Sequence, residues 1–428
     1  MTLSNWLSEY TRRQLRADEA VSVLQSHDRV FLAPFCNEPQ TLVEELVRQR
    51  DRFEETVLYT LNIGSPCLYA EPECQSHFII HSFLHSAKLQ KAHSHNFCEY
   101  LPVNLSQIPI WLEENPVDAA LIQVTPPDEH GSCHLGISVD IIHSLIKYAK
   151  VVIAQVNEML PITNGDGSVN VCEIDYFVLS NRPMVEVQSA EGRKEETIIG
   201  KYVAELIPNQ ATIQVGVGRL ADSILSSLEG KNHLGIHSGS ITDKVVDLIE
   251  SGVVTNAYKE IDQNETICTT LTGTKRLYDF AHHNEAIQLK GVEYTHNPAV
   301  IAQISQFCSI NSALEVDLLG NVNAEQVGKY PVGGVGGQMD FIIGSRLSKG
   351  GRSIIALPST ARGGTESRIK LTASSITSAK SEINFVVTEY GIASLFGKTV
   401  KERCTELLAI VHPAFKEDLQ WQLNQIVS

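Results

Sequence analysis

The residues with the clearest chemical use lie in two glycine-rich segments and around one glutamate, all in the second half of the chain. Gln214–Leu225 reads QVGVGRLADSIL. A short apolar run ends at Gly216-Val217-Gly218, and helical spacing of Leu220, Ile224, Leu225 and Leu228 begins at once. Glycines let a ligand approach the backbone closely, and the free amides at a helix start suit phosphate or carboxylate oxygens. The segment is not a complete dinucleotide fingerprint, because Ala221 holds the third glycine position and no convincing acidic residue follows. A plain strand-to-helix turn is the alternative reading. Pro331–Ser345 reads PVGGVGGQMDFIIGS, with Gly333, Gly334, Gly336 and Gly337 crowded together. Such density is costly in chain entropy, and its exposed amides could hold an oxyanion or a thioester carbonyl. A flexible hairpin is the alternative there.

Further on, SIIALP (353–358) reads as a strand followed by a loop bearing Ser359, Thr360, Arg362 and Arg368, groups able to meet carboxylate or phosphate. Glu389 falls at a strand's end just before Gly391, where active-site groups collect in open α/β sheets. A helix cap or a salt bridge would explain it equally well. His77, His81, His85, His93 and His95 cluster between Cys74 and Cys98. The i, i+4 spacing of His81 and His85 would suit zinc on a helical face, but no third ligand is convincingly spaced, so no metal is expected. His237, Ser238 and Asp243 are close in sequence, yet the chain lacks the G-x-S-x-G elbow that presents a serine nucleophile.

These groups need a scaffold, and the pattern predicts α/β. Val30–Ala33, Thr56–Asn62, Ala119–Val124 and Val151–Val156 read as buried strands, with helical spacing over Pro39–Arg48 and Val139–Ala149. The polar stretch 186–196 (EVQSAEGRKEE) is the best linker, after which a helix (Thr197–Leu206) and a strand (Thr212–Val217) restart the pattern. The predicted division is therefore 1–189 and 190–428. Length also favours more than one core. A net charge of −16 argues against nucleic acid or an anionic membrane as the main partner. Nine scattered cysteines without a C-x-x-C pair, and no signal-like or membrane-spanning apolar run, predict a soluble cytoplasmic protein.

In this order, the segments QVTPPDEHGSCHLGISVD, VGVGRLAD, LGIHSGSITDKVVDLIESG, GTKRLYDF, YTHNPAV, GGVGGQMDF, SIIALPSTARGGT, VTEYGIASLFGKT and HPAF resemble the acetyl-CoA hydrolase/transferase family over nearly the whole chain, nearest its 4-hydroxybutyrate CoA-transferase branch. The resemblance implies two α/β domains of similar topology with the active site in the cleft between them. It also implies coenzyme A as substrate, acyl-CoA and a short-chain carboxylate as partners, and a homodimer or higher homo-oligomer. Exchange in the family passes through an acyl–glutamyl anhydride and a glutamyl-CoA thioester, so a hard displacement becomes several covalent steps. By the same resemblance, Gly216, Val217, Gly218, Arg219 and Leu220 match the CoA-contacting loop. Gly334, Gly336 and Gly337 match the glycine loop facing the thioester, and Glu389 matches a second glutamate that assists positioning.

Two positions depart from the family. LGIHS before it and TD after it place Gly239 where the family carries its nucleophilic glutamate. His296, in YTHNP, falls near a position where asparagine is more usual. Asp243 is four residues on and would lie about a turn away in a helix, so it is a poor substitute where ~1 Å of misplacement can cost about 10²-fold. The sequence therefore leaves three readings: a CoA-transferase with its nucleophile missing, a slow acyl-CoA hydrolase using water and Glu389, and a catalytically silent CoA-binding protein. On sequence alone, Gly239→Glu would raise exchange by several orders of magnitude.

Overall fold

The computed structural model describes residues 3–61 and 64–427. The chain forms two compact units, Met1–Val187 with Cys268–Tyr294, and Gln188–Ile267 with Thr295–Ser428. The boundary falls inside the polar stretch 181–193, which has no regular structure, and a helix begins at Lys194. One cut near residue 190 is nevertheless too simple, because Cys268–Tyr294 belongs with the first unit. A local polarity signal marks where the chain crosses but carries no sign of its return.

The first unit is built on seven strands: β1 (Arg29–Leu32), β2 (Thr56–Leu61), β3 (Phe78–Leu84), β4 (Cys98–Tyr100), β5 (Val117–Val124), β6 (Ala149–Val156) and β7 (Tyr176–Leu179). They pair in parallel in the order β7-β6-β5-β1-β2-β3-β4. The expected strands match four of these, while Asn62 lies outside the described residues. Parallel strands need crossovers, and the helix Gln40–Arg48 supplies one. Its Leu42, Val43 and Leu46 share a core with Leu32, Leu58, Ile80 and Leu121. His81 lies within β3, so its spacing to His85 does not put both on one helical face. His85 is buried, with Nδ1 3.9 Å from Cys98 Sγ.

Asp140 is the unit's unusual buried group. It adopts φ 43 and is 1 % exposed, with no side-chain partner among the described residues. Burial, reinforced by the nearby Glu293 carboxylate, pushes its pKa up to about 8.

In the second unit β8 (Thr212–Val215), β9 (Gly235–Ile236), β10 (Cys308–Ser312), β11 (Arg352–Ala356), β12 (Phe385–Thr388) and β13 (Gly391–Ser394) form a sheet ordered β9-β8-β10-β11-β12-β13. All pairings are parallel except β12–β13. Both units share a parallel core order, β2-β1-β5-β6-β7 in the first and β9-β8-β10-β11-β12 in the second, to which the first adds β3 and β4 at one edge and the second the antiparallel β13. The second core gathers Val316, Ile342, Ile355, Val386 and Leu407. Because β8 to β12 run the same way, everything following their carboxyl ends lies along one edge, where open α/β sheets bind ligands. Gly216, His237–Gly239 and Glu389 all follow such ends. Among the described residues, no helix is long and apolar enough to cross a membrane.

Candidate active site in the second unit

The first glycine loop grows directly out of β8. Gly216 N–H donates to Ile310 O at 3.3 Å, still part of the sheet, and the helix Arg219–Ser226 starts three residues later. Gly218 makes that reversal at φ 112, ψ 175, a region essentially closed to side chains. A Cβ at Gly218 would meet nothing within 4 Å. Glycine is therefore required for torsion rather than for space. Gly218→Ala is expected to destabilise the unit by about 1–3 kcal/mol, with thermal unfolding as the check.

Val217 is exposed, and Arg219 and Leu220 are partly so. Arg219 is anchored from below: its Nε donates to the buried Glu196 carboxylate at 2.7 Å. Burial would raise the Glu196 pKa, but Arg219 and the Arg193 N–H outweigh it and hold that carboxyl below its usual range. Arg219 is thus aimed by a structural ion pair, a partner absent from the motif itself.

The segment 237–239 is tied to the same edge. His237 N–H donates to Ile213 O at 3.2 Å, Ser238 N–H to Ile267 O at 2.9 Å, and Ser238 Oγ to Val215 O at 3.2 Å. These bonds hold Gly239, half-buried, beside the end of β8. His237 is fully buried and its Nε2 donates to Thr295 O at 2.9 Å. Burial, with the Lys259 ammonium nearby, lowers its pKa to about 3. Past Gly239 the chain is extended through Ser240–Ile241 before a helix opens at Asp243. Asp243 is therefore not one helical turn from position 239, which weakens it further as a substitute nucleophile.

His296 lies directly against Gly239. The imidazole is 1 % exposed, and its Nδ1 shares a 2.8 Å hydrogen bond with Thr295 Oγ1. Its ring tilts onto Phe341 with centroids 4.6 Å apart. Burial, and then His237, push its pKa down to about 3, so the ring is neutral at ordinary pH. A Cβ at position 239 would stand 2.9 Å from His296 Nε2 and 3.1 Å from Cε1.

The second glycine loop meets the same ring. A short hairpin (Gln326–Val327 with Tyr330–Pro331) leads into it, and the helix Gln338–Leu347 follows. The loop is therefore a strand-to-helix passage, not the hairpin itself. Gly336 has φ 51, while Gly334 and Gly337 are half-buried. A Cβ on Gly337 would fall 2.4 Å from His296 Cδ2. The structure thus brings Gly239, Gly337 and His296 together, a grouping that no sequence spacing reveals.

Glu389 sits three strands along the same edge from Gly216. Its two oxygens accept from Ser359 N–H at 2.8 Å and Ser359 Oγ at 2.6 Å. Ser359 therefore orients a carboxylate rather than facing a ligand alone. Arg368 is largely committed as well, donating to Thr360 O at 3.2 Å and Ala313 O at 3.1 Å, and Arg362 pairs with Glu366. Of the four polar residues that sequence offered for anion contact in this loop, Ser359 and Arg368 are engaged within the fold, while the Arg362 pair with Glu366 is exposed and leaves its guanidinium at the surface. Among the described residues, no group of three or more His, Cys, Asp or Glu could hold a metal ion.

Two glycine loops, a glutamate held by Ser359 and a buried imidazole thus lie along the carboxyl edge of an open α/β sheet, where such folds place their ligands. Comparison with known proteins gives that arrangement a family. Residues 3–188 match the acetyl-CoA hydrolase/transferase N-terminal domain and residues 273–423 the corresponding C-terminal domain. A 4-hydroxybutyrate coenzyme A transferase of Clostridium kluyveri is 39% identical over 97% of this chain and 98% of its own. The crystal structure of RipA from Yersinia pestis superposes with TM-score 0.93 at 30% identity, covering 99% of each chain. A 4-hydroxybutyrate CoA-transferase structure from Porphyromonas gingivalis does so at 0.84 and 31% identity, covering 98% of this chain and all of its own. The chain belongs to the acetyl-CoA hydrolase/transferase family, of which CoA is a substrate.

Proposed function

We propose that this protein is an acyl-CoA:carboxylate CoA-transferase in descent and in ligand, of the short-chain or 4-hydroxybutyrate type, whose nucleophile position is Gly239. The observation that supports this most is the full-length similarity to a 4-hydroxybutyrate coenzyme A transferase. The Gly216–Leu220 and Gly334–Gly337 loops, together with Glu389, agree with it. In this reading the Gly216–Leu220 turn holds the CoA moiety, amides of Gly334, Gly336 and Gly337 take the thioester oxygen, and Glu389 orients the reacting groups. A glycine cannot form the anhydride, so exchange through residue 239 is closed. The protein is read as cytoplasmic and homo-oligomeric, with acyl-CoA and a short-chain carboxylate as its partners.

Thioester hydrolysis is the second reading, since the family includes hydrolases. A water at the thioester could be activated by Glu389 while the loop amides stabilise the oxyanion. Both Glu389 oxygens already accept from Ser359, which favours a positioning role over that of a strong base.

Incubation with acyl-CoA, with and without a short-chain carboxylate, tests these readings. Saturable CoA binding with little exchange and no CoA adduct is expected. Failure to bind CoA would remove the proposal, and acceptor-independent thioester loss would move it to hydrolysis.

A further inference from the structure

The two departures from the family pattern are far apart in sequence, and they meet in space. We propose that Gly239 and His296 are one coupled change: the imidazole occupies the side-chain space of residue 239, closes that position to a carboxylate, and presents Nε2 in its place.

The distances carry the argument. A Cβ on residue 239 would lie 2.9 Å from His296 Nε2, closer than real Cβ atoms are found, and 3.6 Å from Phe341 Cε2. Any longer side chain leaving along that bond must displace the ring. The ring has nowhere cheap to go. Its other edge lies against Gly337, where a Cβ would be 2.5 Å from the same Nε2. Phe341 packs on its face and Thr295 Oγ1 holds Nδ1. Phe341 in turn stacks on Phe307 at 6.4 Å, within a buried cluster that includes Ile301 and Ile304. Close-packed interiors yield to such intrusion only at a cost. Unlike Gly218, Gly239 is therefore needed for space. It is a fitted glycine, and so is Gly337.

The stereochemical coupling stands on the geometry alone, while its meaning for catalysis rests on the CoA-transferase reading. A double-mutant cycle separates the two. In the parent background, Gly239→Ala and Gly337→Ala are each expected to lower Tm by about 5 °C, the size of a modest overpacking penalty in a unit of this length. With His296→Asn, each should cost no more than about 1 °C. Equal losses in both backgrounds would overturn the coupling. Mass spectrometry after incubation with acyl-CoA supplies a readout that packing alone does not move. A CoA adduct on residue 239 is expected for Gly239→Glu/His296→Asn and not for Gly239→Glu. Equal adducts on both would overturn the closure of the position. CoA binding by the parent chain, measured alongside, reports separately on the family reading.

Discussion

A chain carrying both Gly239→Glu and His296→Asn is expected to exchange CoA between an acyl-CoA and a short-chain carboxylate at least about 10³-fold faster than the parent. Gly239→Glu alone should remain within about tenfold of it and should unfold at lower temperature. The physical reason is that a nucleophile must be both present and placed. The first substitution restores the carboxylate, but with His296 in place its side chain would have to leave into an imidazole 2.9 Å from its own Cβ. A factor of 10³ corresponds to about 4 kcal/mol of barrier, a modest share of what covalent splitting of the displacement can supply. Thioester exchange followed by chromatography decides it. If the single variant matches the double, His296 does not obstruct; if neither exceeds the parent, residue 239 is not the nucleophile position.

Stability should peak near pH 6.5 and fall on both sides between pH 4 and 8. His237 and His296 have pKa values lowered from 6.5 to about 3 in the folded chain, by burial first. Their contribution is complete above pH 6.5 and is lost as pH falls toward 3, since the unfolded chain takes protons that the folded one refuses. Two such groups amount to an upper limit on the order of 5 kcal/mol between pH 6.5 and 4.5. Asp140 acts in the opposite sense. With its pKa raised from 3.8 to about 8, its stability is fully present below pH 3.8 and is lost as pH rises through 8.

Below pH 6.5 the two histidines outweigh this carboxyl, and above it the carboxyl is left to set the slope. The groups facing these sites have the expected signs: Lys259 disfavours charge on His237, His237 disfavours it on His296, and Glu293 disfavours it on Asp140. Asp140→Asn should abolish the fall between pH 6.5 and 8, worth about 2 kcal/mol at most. Thermal unfolding across this range, in parent and variant, checks both arms. A parent curve flat from pH 4 to 8 would contradict the burial of these three groups as titrating species.

The amino-acid sequence alone determined the α/β character, strands β1, β2, β5, β6, β8 and β11, and the family resemblance. Those signals are local: buried parallel strands read as short apolar runs, and glycine loops are contiguous in the chain. The polar stretch 186–196 spans the crossing between units at Val187–Gln188, though its last residues open a helix that buries Glu196. The return of Cys268–Tyr294 to the first unit was not legible, since nothing local records which core a segment joins. The same limit applied to the polar residues near the site. Arg219 and Glu389 have motif positions, but only the fold supplies Glu196 beneath one and Ser359 beside the other.

His296 shows the difference most clearly. In sequence it is a mild departure some distance from Gly239, and each position reads as an isolated change. Only the tertiary structure sets the imidazole against both Gly239 and Gly337. Steric exclusion acts over a few ångströms in space, and separation along the chain carries no information about it. The sequence singled out a glycine; the fold set an imidazole in the space a side chain there would need.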